Sequence, residues 1–178
     1  MKAFFISSLA VCFFITSQAA IQPLTGGSLM NQVQSGTALS QLGFEVKNVP
    51  KDWILKAPTT SSQAETIEFG LDQSKSKALL SFRVENVSPK VDLEKYVRQY
   101  LRDYNQYGFE VVGLQSLKQS ALNSVVVDLN QKNKLTRSRQ VFFKKNDKVV
   151  MATCLDEFDA FTKTIQTCNS ILNTFQWR

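Results

Sequence analysis

The sequence predicts an α+β fold: a largely antiparallel β-sheet of six to seven strands, flanked by a central helix and a C-terminal helix. Three observations carry this. Several runs in the first half alternate apolar and polar residues with period 2, as strands with one buried face do. At Asp92 the period changes to the i, i+3, i+4 spacing of an amphipathic helix. Residues 135–177 then combine two strand-like runs around a turn, a second amphipathic run, and two cysteines.

The first twenty residues stand apart from the fold as a targeting segment. Lys2 supplies a positive start, 3–15 form an apolar run of signal-peptide length, and Ser17, Gln18 and Ala19 make a small-x-small site, which puts the cut after Ala19 or Ala20. The run is shorter than the ~20 apolar residues a membrane span needs. Val11 is too large for the residue before a lipidated cysteine, and the apolar run continues past Cys12, so lipidation is rejected. Residues 21–42 are polar, contain Gly and Ser, and keep no period; they are expected to be a flexible leader. A single domain is expected over 43–178.

Within it, 44–47 alternate as a half-buried strand and 50–52 are turn chemistry. Residues 53–55 resume an extended run, which Pro58 ends. Thr66–Leu71 sets Ile67, Phe69 and Leu71 against a wet face, and 78–87 does the same with Leu80, Phe82 and Val84. The helix is expected over 92–107, with a stripe of Leu93, Tyr96, Val97, Tyr100, Leu101 and Tyr104. Asp92 is its N-cap and Gly108 its C-cap glycine. Short strands follow at 109–114 and 124–129. Residues 135–144 and 148–154 form a hairpin, and because Asn146-Asp147 lacks the favoured glycine, a loop longer than two residues is expected. The closing helix takes its caps from 156–159 and buries Phe158, Phe161, Ile165, Cys168, Ile171 or Leu172, and Phe175.

Composition narrows function more than it identifies it. The chain has no histidine, which excludes a Ser-His-Asp triad, a Cys-His dyad and the usual nitrogen ligand for zinc or copper. No cofactor or metal site is expected. Cys154 and Cys168 remain behind the targeting segment, and an even count in a secreted chain reads as a disulfide in an oxidising compartment, the periplasm or the exterior. They lack the C-x-x-C spacing of a redox pair. Asp156, Glu157 and Asp159 are too few, without a glycine, for a calcium loop.

Positive charge is local. Lys132, Lys134, Arg137, Arg139, Lys144, Lys145 and Lys148 lie within 132–148, where Asp147 is the one acid; the rest of the chain behind the targeting segment is close to neutral. Such a hairpin reads as a surface for an anionic partner, an acidic protein or an anionic envelope component. Arg137 and Arg139 would share one face and offer two guanidinium forks. The alternative reading is a solvated edge hairpin whose lysines block edge-to-edge pairing. Interleaved aromatics are missing, so nucleic acid is not the expected partner. Tyr96, Tyr100 and Tyr104, spaced by four, offer either an aromatic ledge or, the preferred reading, a cover for the sheet with hydroxyls at its rim.

Three segments carry a resemblance. Phe44-Glu45-Val46 followed by Pro50-Lys51-Asp52-Trp53 resembles the strand, Pro-x-x-Trp, strand opening of the PsbP-like and DcrB-like families. Residues 92–104 are similar to their crossover helix, and Cys168-Asn169-Ser170-Ile171-Leu172-Asn173-Thr174-Phe175 to their closing Ile-Leu-x-Ser-Phe helix terminus. The resemblance implies an α/β/α sandwich in proteins that bind or help assemble something else, among them extrinsic photosystem subunits, periplasmic proteins, and chaperones or immunity-type partners. Its motifs mark core positions, and the histidines tied to metal in photosynthetic members have no counterpart here. The expected function is therefore a non-enzymatic secreted or periplasmic accessory protein. A small carboxylate-based hydrolase and a purely structural envelope protein are the alternatives.

Overall fold

The computed structural model describes residues 30–32, 36–56, 66–71, 76–119 and 122–178. The targeting segment lies outside them. Along the chain come β1 (Met30–Gln32), β2 (Ala38–Ser40), β3 (Phe44–Val46), β4 (Trp53–Leu55), β5 (Thr66–Leu71) and β6 (Leu79–Asn86). Then follow α1 (Leu93–Tyr100), β7 (Phe109–Gln119), β8 (Leu122–Gln131), β9 (Thr136–Lys145), β10 (Lys148–Glu157), α2 (Phe161–Leu172) and β11 (Gln176–Trp177).

The main sheet has seven antiparallel strands in the order β4-β5-β6-β10-β9-β8-β7. Strands β4 to β6 pair in sequence order. The chain then crosses one face of the sheet through α1, reaches the far edge at β7, and returns as a meander that zips β10 onto β6. Successive residues of a strand point to opposite faces, so the seven strands serve two cores. One face carries Val125, Val127, Leu129 and Phe142 under Leu93 and Val97 of α1. The other carries Phe69, Leu80, Phe82, Val141, Phe143 and Ala152 under Phe161, Cys168 and Ile171 of α2. The disulfide Cys154–Cys168 ties β10 to α2.

Several expectations change. The leader does not run to residue 42: Ala38–Ser40 pairs with β3 in a second sheet of order β1-β2-β3-β11, and Ala38 is wholly buried. Gln176 and Trp177 pair with Glu45 and Phe44, so the last residues close the sheet that the first described ones begin. Phe44 meets Phe82 and Phe175 at ring-centroid distances of 5.3 and 5.4 Å, which docks this small sheet on the α2 side.

The helix expected over 92–107 ends at Tyr100. Asp92 does cap it, accepting from the Lys95 amide at 2.9 Å, but 101–108 continue as successive turns closed by Gly108 at φ 83°. Tyr104 and Tyr107 are therefore not helical. Strand β7 runs to Gln119, well past the expected end at 114, because all of β8 is there to pair with it.

The hairpin loop is two residues, not longer: Lys145 pairs with Lys148, and Asn146 takes φ 54°. Asparagine tolerates the left-handed region that glycine usually fills. Helix α2 starts after Ala160 with no side-chain cap, and Phe158 precedes it. Asp156 belongs to β10 instead, where its buried carboxylate accepts from Thr164 Oγ1 and from the Glu157 amide.

Candidate functional site

The hairpin does not present its seven basic residues together. Lys132 and Lys134 sit in the β8–β9 turn, at the opposite end of the ten-residue strand β9 from Lys144, Lys145 and Lys148. At ~3.3 Å per residue that is about 30 Å. Lys132 is further held there by donating to the Asn105 carbonyl at 3.0 Å.

Arg137 and Arg139 do share a face, but it is the α2 face, and both are engaged on it. The Arg137 guanidinium lies 5.3 Å from the centre of the Phe161 ring. Arg139 grips the Asp128 carboxylate on both oxygens, at 2.8 and 3.0 Å, and Nη1 donates to Asn169 Oδ1 at 3.4 Å. With 28% of its side chain exposed, Arg139 is a wall residue of the sheet and not a fork held out to solvent.

The other three lysines gather at the β9–β10 tip, Lys145 and Lys148 on one face and Lys144 on the other. Lys145 stands directly across from Lys148, and Lys144 Nζ donates to the Pro89 carbonyl at 3.0 Å, which sets Lys90 next to the tip. Asp147 is the acid in the turn. Because β9 and β10 are interior strands, these lysines guard no sheet edge, which removes the edge-protection account of them. Two like charges across a strand pair are unfavourable for folding by a few tenths of a kcal/mol or more, of order 0.2–1.

A groove of about 460 Å³ opens on the α2 face. Among the described residues, α2 covers β10 and β9 and leaves the same face of β8 and β7 largely uncovered. Cross-strand register sorts its floor. Leu117, Ser124 and Phe143 form one row; Gln115, Val126 and Val141 the next; Gly113, Asp128 and Arg139 the third. Leu122 and Leu172 extend the first end, and Asn169 adds an amide at the third row. One end is thus apolar apart from the buried Ser124, and the other is a neutralised ion pair. Sequence reasoning singled out Arg139 but not the groove. Its wall residues are ordinary strand positions, and the partner Asp128 is contributed by the neighbouring strand.

A second cavity, about 650 Å³, lies between β4 and the start of α2 and is lined by Asp52, Asp156 and Asp159 among others. Asp156 is committed to Thr164 and its own strand's amide. Among the described residues no group of three or more potential ligands is placed to hold a metal ion.

The tyrosines cover the sheet. Tyr96 and Tyr100 stack at 6.4 Å, Tyr100 and Tyr104 approach at 5.5 Å, and both helical rings meet Phe142 edge-on. Tyr96 donates to Glu85 at 2.5 Å, while Tyr104 receives a hydrogen bond from Gln140. Burial, then the bond to Glu85, raises the Tyr96 phenol above its ordinary value; burial, then its bond with Tyr104, does the same for Tyr100.

Seven antiparallel strands between two helices, with one helix crossing to the far edge, define a PsbP-like α+β fold. No protein-family model matches the chain, and no curated protein matches it by sequence. Solved structures do. The solution structure of cyanobacterial PsbP (CyanoP) from Synechocystis superposes with a TM-score of 0.62 at 10% identity, over 88% of this chain and 96% of that one. LpqN of Mycobacterium tuberculosis, a protein involved in cell envelope biogenesis, gives a TM-score of 0.56 at 14% identity, over 75% of this chain and 82% of that one. A crystal structure from Bacteroides thetaiotaomicron gives 0.54 at 10% identity, over 82% of this chain and 49% of that one. At these identities the likeness is one of fold. No helix among the described residues is long and apolar enough to cross a membrane.

Proposed function

We propose that the chain is a non-enzymatic accessory protein of an oxidising compartment, the periplasm or the exterior, and that it docks onto an anionic partner through the β9–β10 tip. The observation that carries this is the tip itself: Lys144, Lys145 and Lys148 flank a turn whose one acid is Asp147, Lys144 on the α1 face near Lys90 and Lys145 and Lys148 on the other. Folding gains nothing from Lys145 opposite Lys148, and edge protection does not account for either. An anionic surface does. The compartment is supported by the Cys154–Cys168 disulfide, and an envelope role by the fold shared with LpqN.

The non-enzymatic reading is supported by the state of the acids. With no histidine in the chain, carboxylates would be the leading candidates for catalysis, and Asp128 and Asp156 are each tied into hydrogen bonds that serve packing. The test is charge reversal: Lys144→Glu, Lys145→Glu and Lys148→Glu together, measured for retention on an immobilised acidic polypeptide and on vesicles rich in anionic phospholipid. Wild type should bind at least one of the two, less so as salt shortens the screening length. The variant should bind neither while melting as wild type does. Equal binding by the variant, or binding indifferent to salt, defeats the reading.

A further inference from the structure

We propose that the groove between the β7–β8 face and α2 is a binding site for a neutral single-chain amphiphile, an acyl ester or amide. Its carbonyl would lie at Arg139 and its chain along Val126 towards Leu122. The apolar end of the groove adjoins the basic tip, since Phe143 is two residues from Lys145 on the same face and the β8–β9 register carries Leu122 across from Lys145. Its head-group end at Arg139 lies away from the tip, and the test below separates the two proposals.

Four features converge. The volume, about 460 Å³, falls in the ~300–1,000 Å³ range of small-molecule sites. The lining is sorted lengthwise, with Leu117, Leu122, Phe143 and Leu172 at one end and Asp128, Arg139 and Asn169 at the other. Residues 122 to 128 of a strand span roughly 20 Å, so an occupant is elongated rather than round. Phe143, Val141 and Leu172 are already buried, and the apolar surface an acyl chain would remove from water is that of the half-buried Leu117, Leu122 and Val126.

The head group is argued from the donors. A guanidinium has five N–H groups. Those of Arg139 serve Asp128 twice and Asn169 once, which leaves two without a partner among the described residues. They suit an acceptor such as an ester or amide carbonyl, with Gln115 in the next row able to meet a further polar group of the head. A free carboxylate is disfavoured, because Asp128 already neutralises Arg139 and would stand beside the second negative charge. The expected ligand is therefore neutral at its head.

The probes are monolauroylglycerol and laurate, each below its aggregation concentration at pH 8, titrated into the oxidised protein and followed by amide chemical shifts. Monolauroylglycerol should give saturable shifts at Gly113, Gln115, Val126 and Asn169. Laurate should bind at least about tenfold more weakly, given the like charge at Asp128. Val126→Trp fills the middle row and should abolish the shifts. Leu122→Trp blocks the apolar end and serves the same purpose if the first variant folds poorly. Lys144→Glu, at the tip but on the α1 face of β9, should bind monolauroylglycerol as wild type does. Absence of saturable shifts, laurate binding as tight as the ester, or unchanged binding in a folded groove-filled variant would each overturn the proposal.

Discussion

Reducing the Cys154–Cys168 bridge is the perturbation whose magnitude follows most directly from the structure. The two cysteines are 14 residues apart in sequence and both are fully buried, one in the interior strand β10 and one on the inner face of α2. Closing a loop of that size in the unfolded chain is worth ~3 kcal/mol in the chain-entropy account. With a urea slope of ~1–3 kcal/mol per M, the midpoint should fall by about 1–3 M on reduction. For a chain of this size the same loss is ~6–12 °C in melting temperature. The assay is urea denaturation of oxidised protein and of protein equilibrated with reductant, with thiols counted in each sample. Reduction keeps both sulfurs in place, so it isolates the cross-link. Replacing both residues by alanine also removes two buried sulfur atoms, and should cost more than reduction alone. A fully reduced sample that unfolds at the oxidised midpoint would refute the reasoning.

Two further outcomes are expected. The raised phenols of Tyr96 and Tyr100 stay protonated in the folded protein at pH values where the unfolded chain ionises, so stability is intact below about pH 10 and falls as pH rises above it. Urea midpoints at pH 8 and pH 11 measure this, and Tyr96→Phe should flatten the fall. At the hairpin turn, Asn146→Ala should cost ~1 kcal/mol because φ 54° is uncomfortable for a residue with a Cβ and no local polar group, whereas Asn146→Gly should be close to neutral by thermal melting.

Local patterns carried most of the main sheet. Phe69, Leu80 and Phe82 lie where period-2 alternation places inward residues, and all three are buried. Asp92 caps α1 as its position at the change of period implies. Cys154 and Cys168 pair as an even count behind an apolar leader suggests. The tyrosine stripe over Phe142 is the preferred of its two readings. Where local reasoning erred, a competing local option won: asparagine in the left-handed region replaced a longer loop, and a series of turns replaced two further helical turns after Tyr100.

The candidate sites divide along the same line. Sequence alone determined that positive charge gathers in 132–148, that histidine chemistry is absent, and that α2 has a buried stripe holding Cys168. Only the tertiary structure decided which of those charges are free. Arg139 is claimed by Asp128 from the adjacent strand and Arg137 by Phe161 from α2, while ten residues of extended chain separate Lys132 and Lys134 from the tip. Pairing of Ala38–Ser40 with β3, and of Trp177 with Phe44, was equally beyond local reading. The reason is physical: alternation and helical period are properties of neighbouring residues and act through a few bonds. Strand order, helix placement over a sheet and the groove left uncovered depend on contacts between residues far apart in the chain, which no short window encodes.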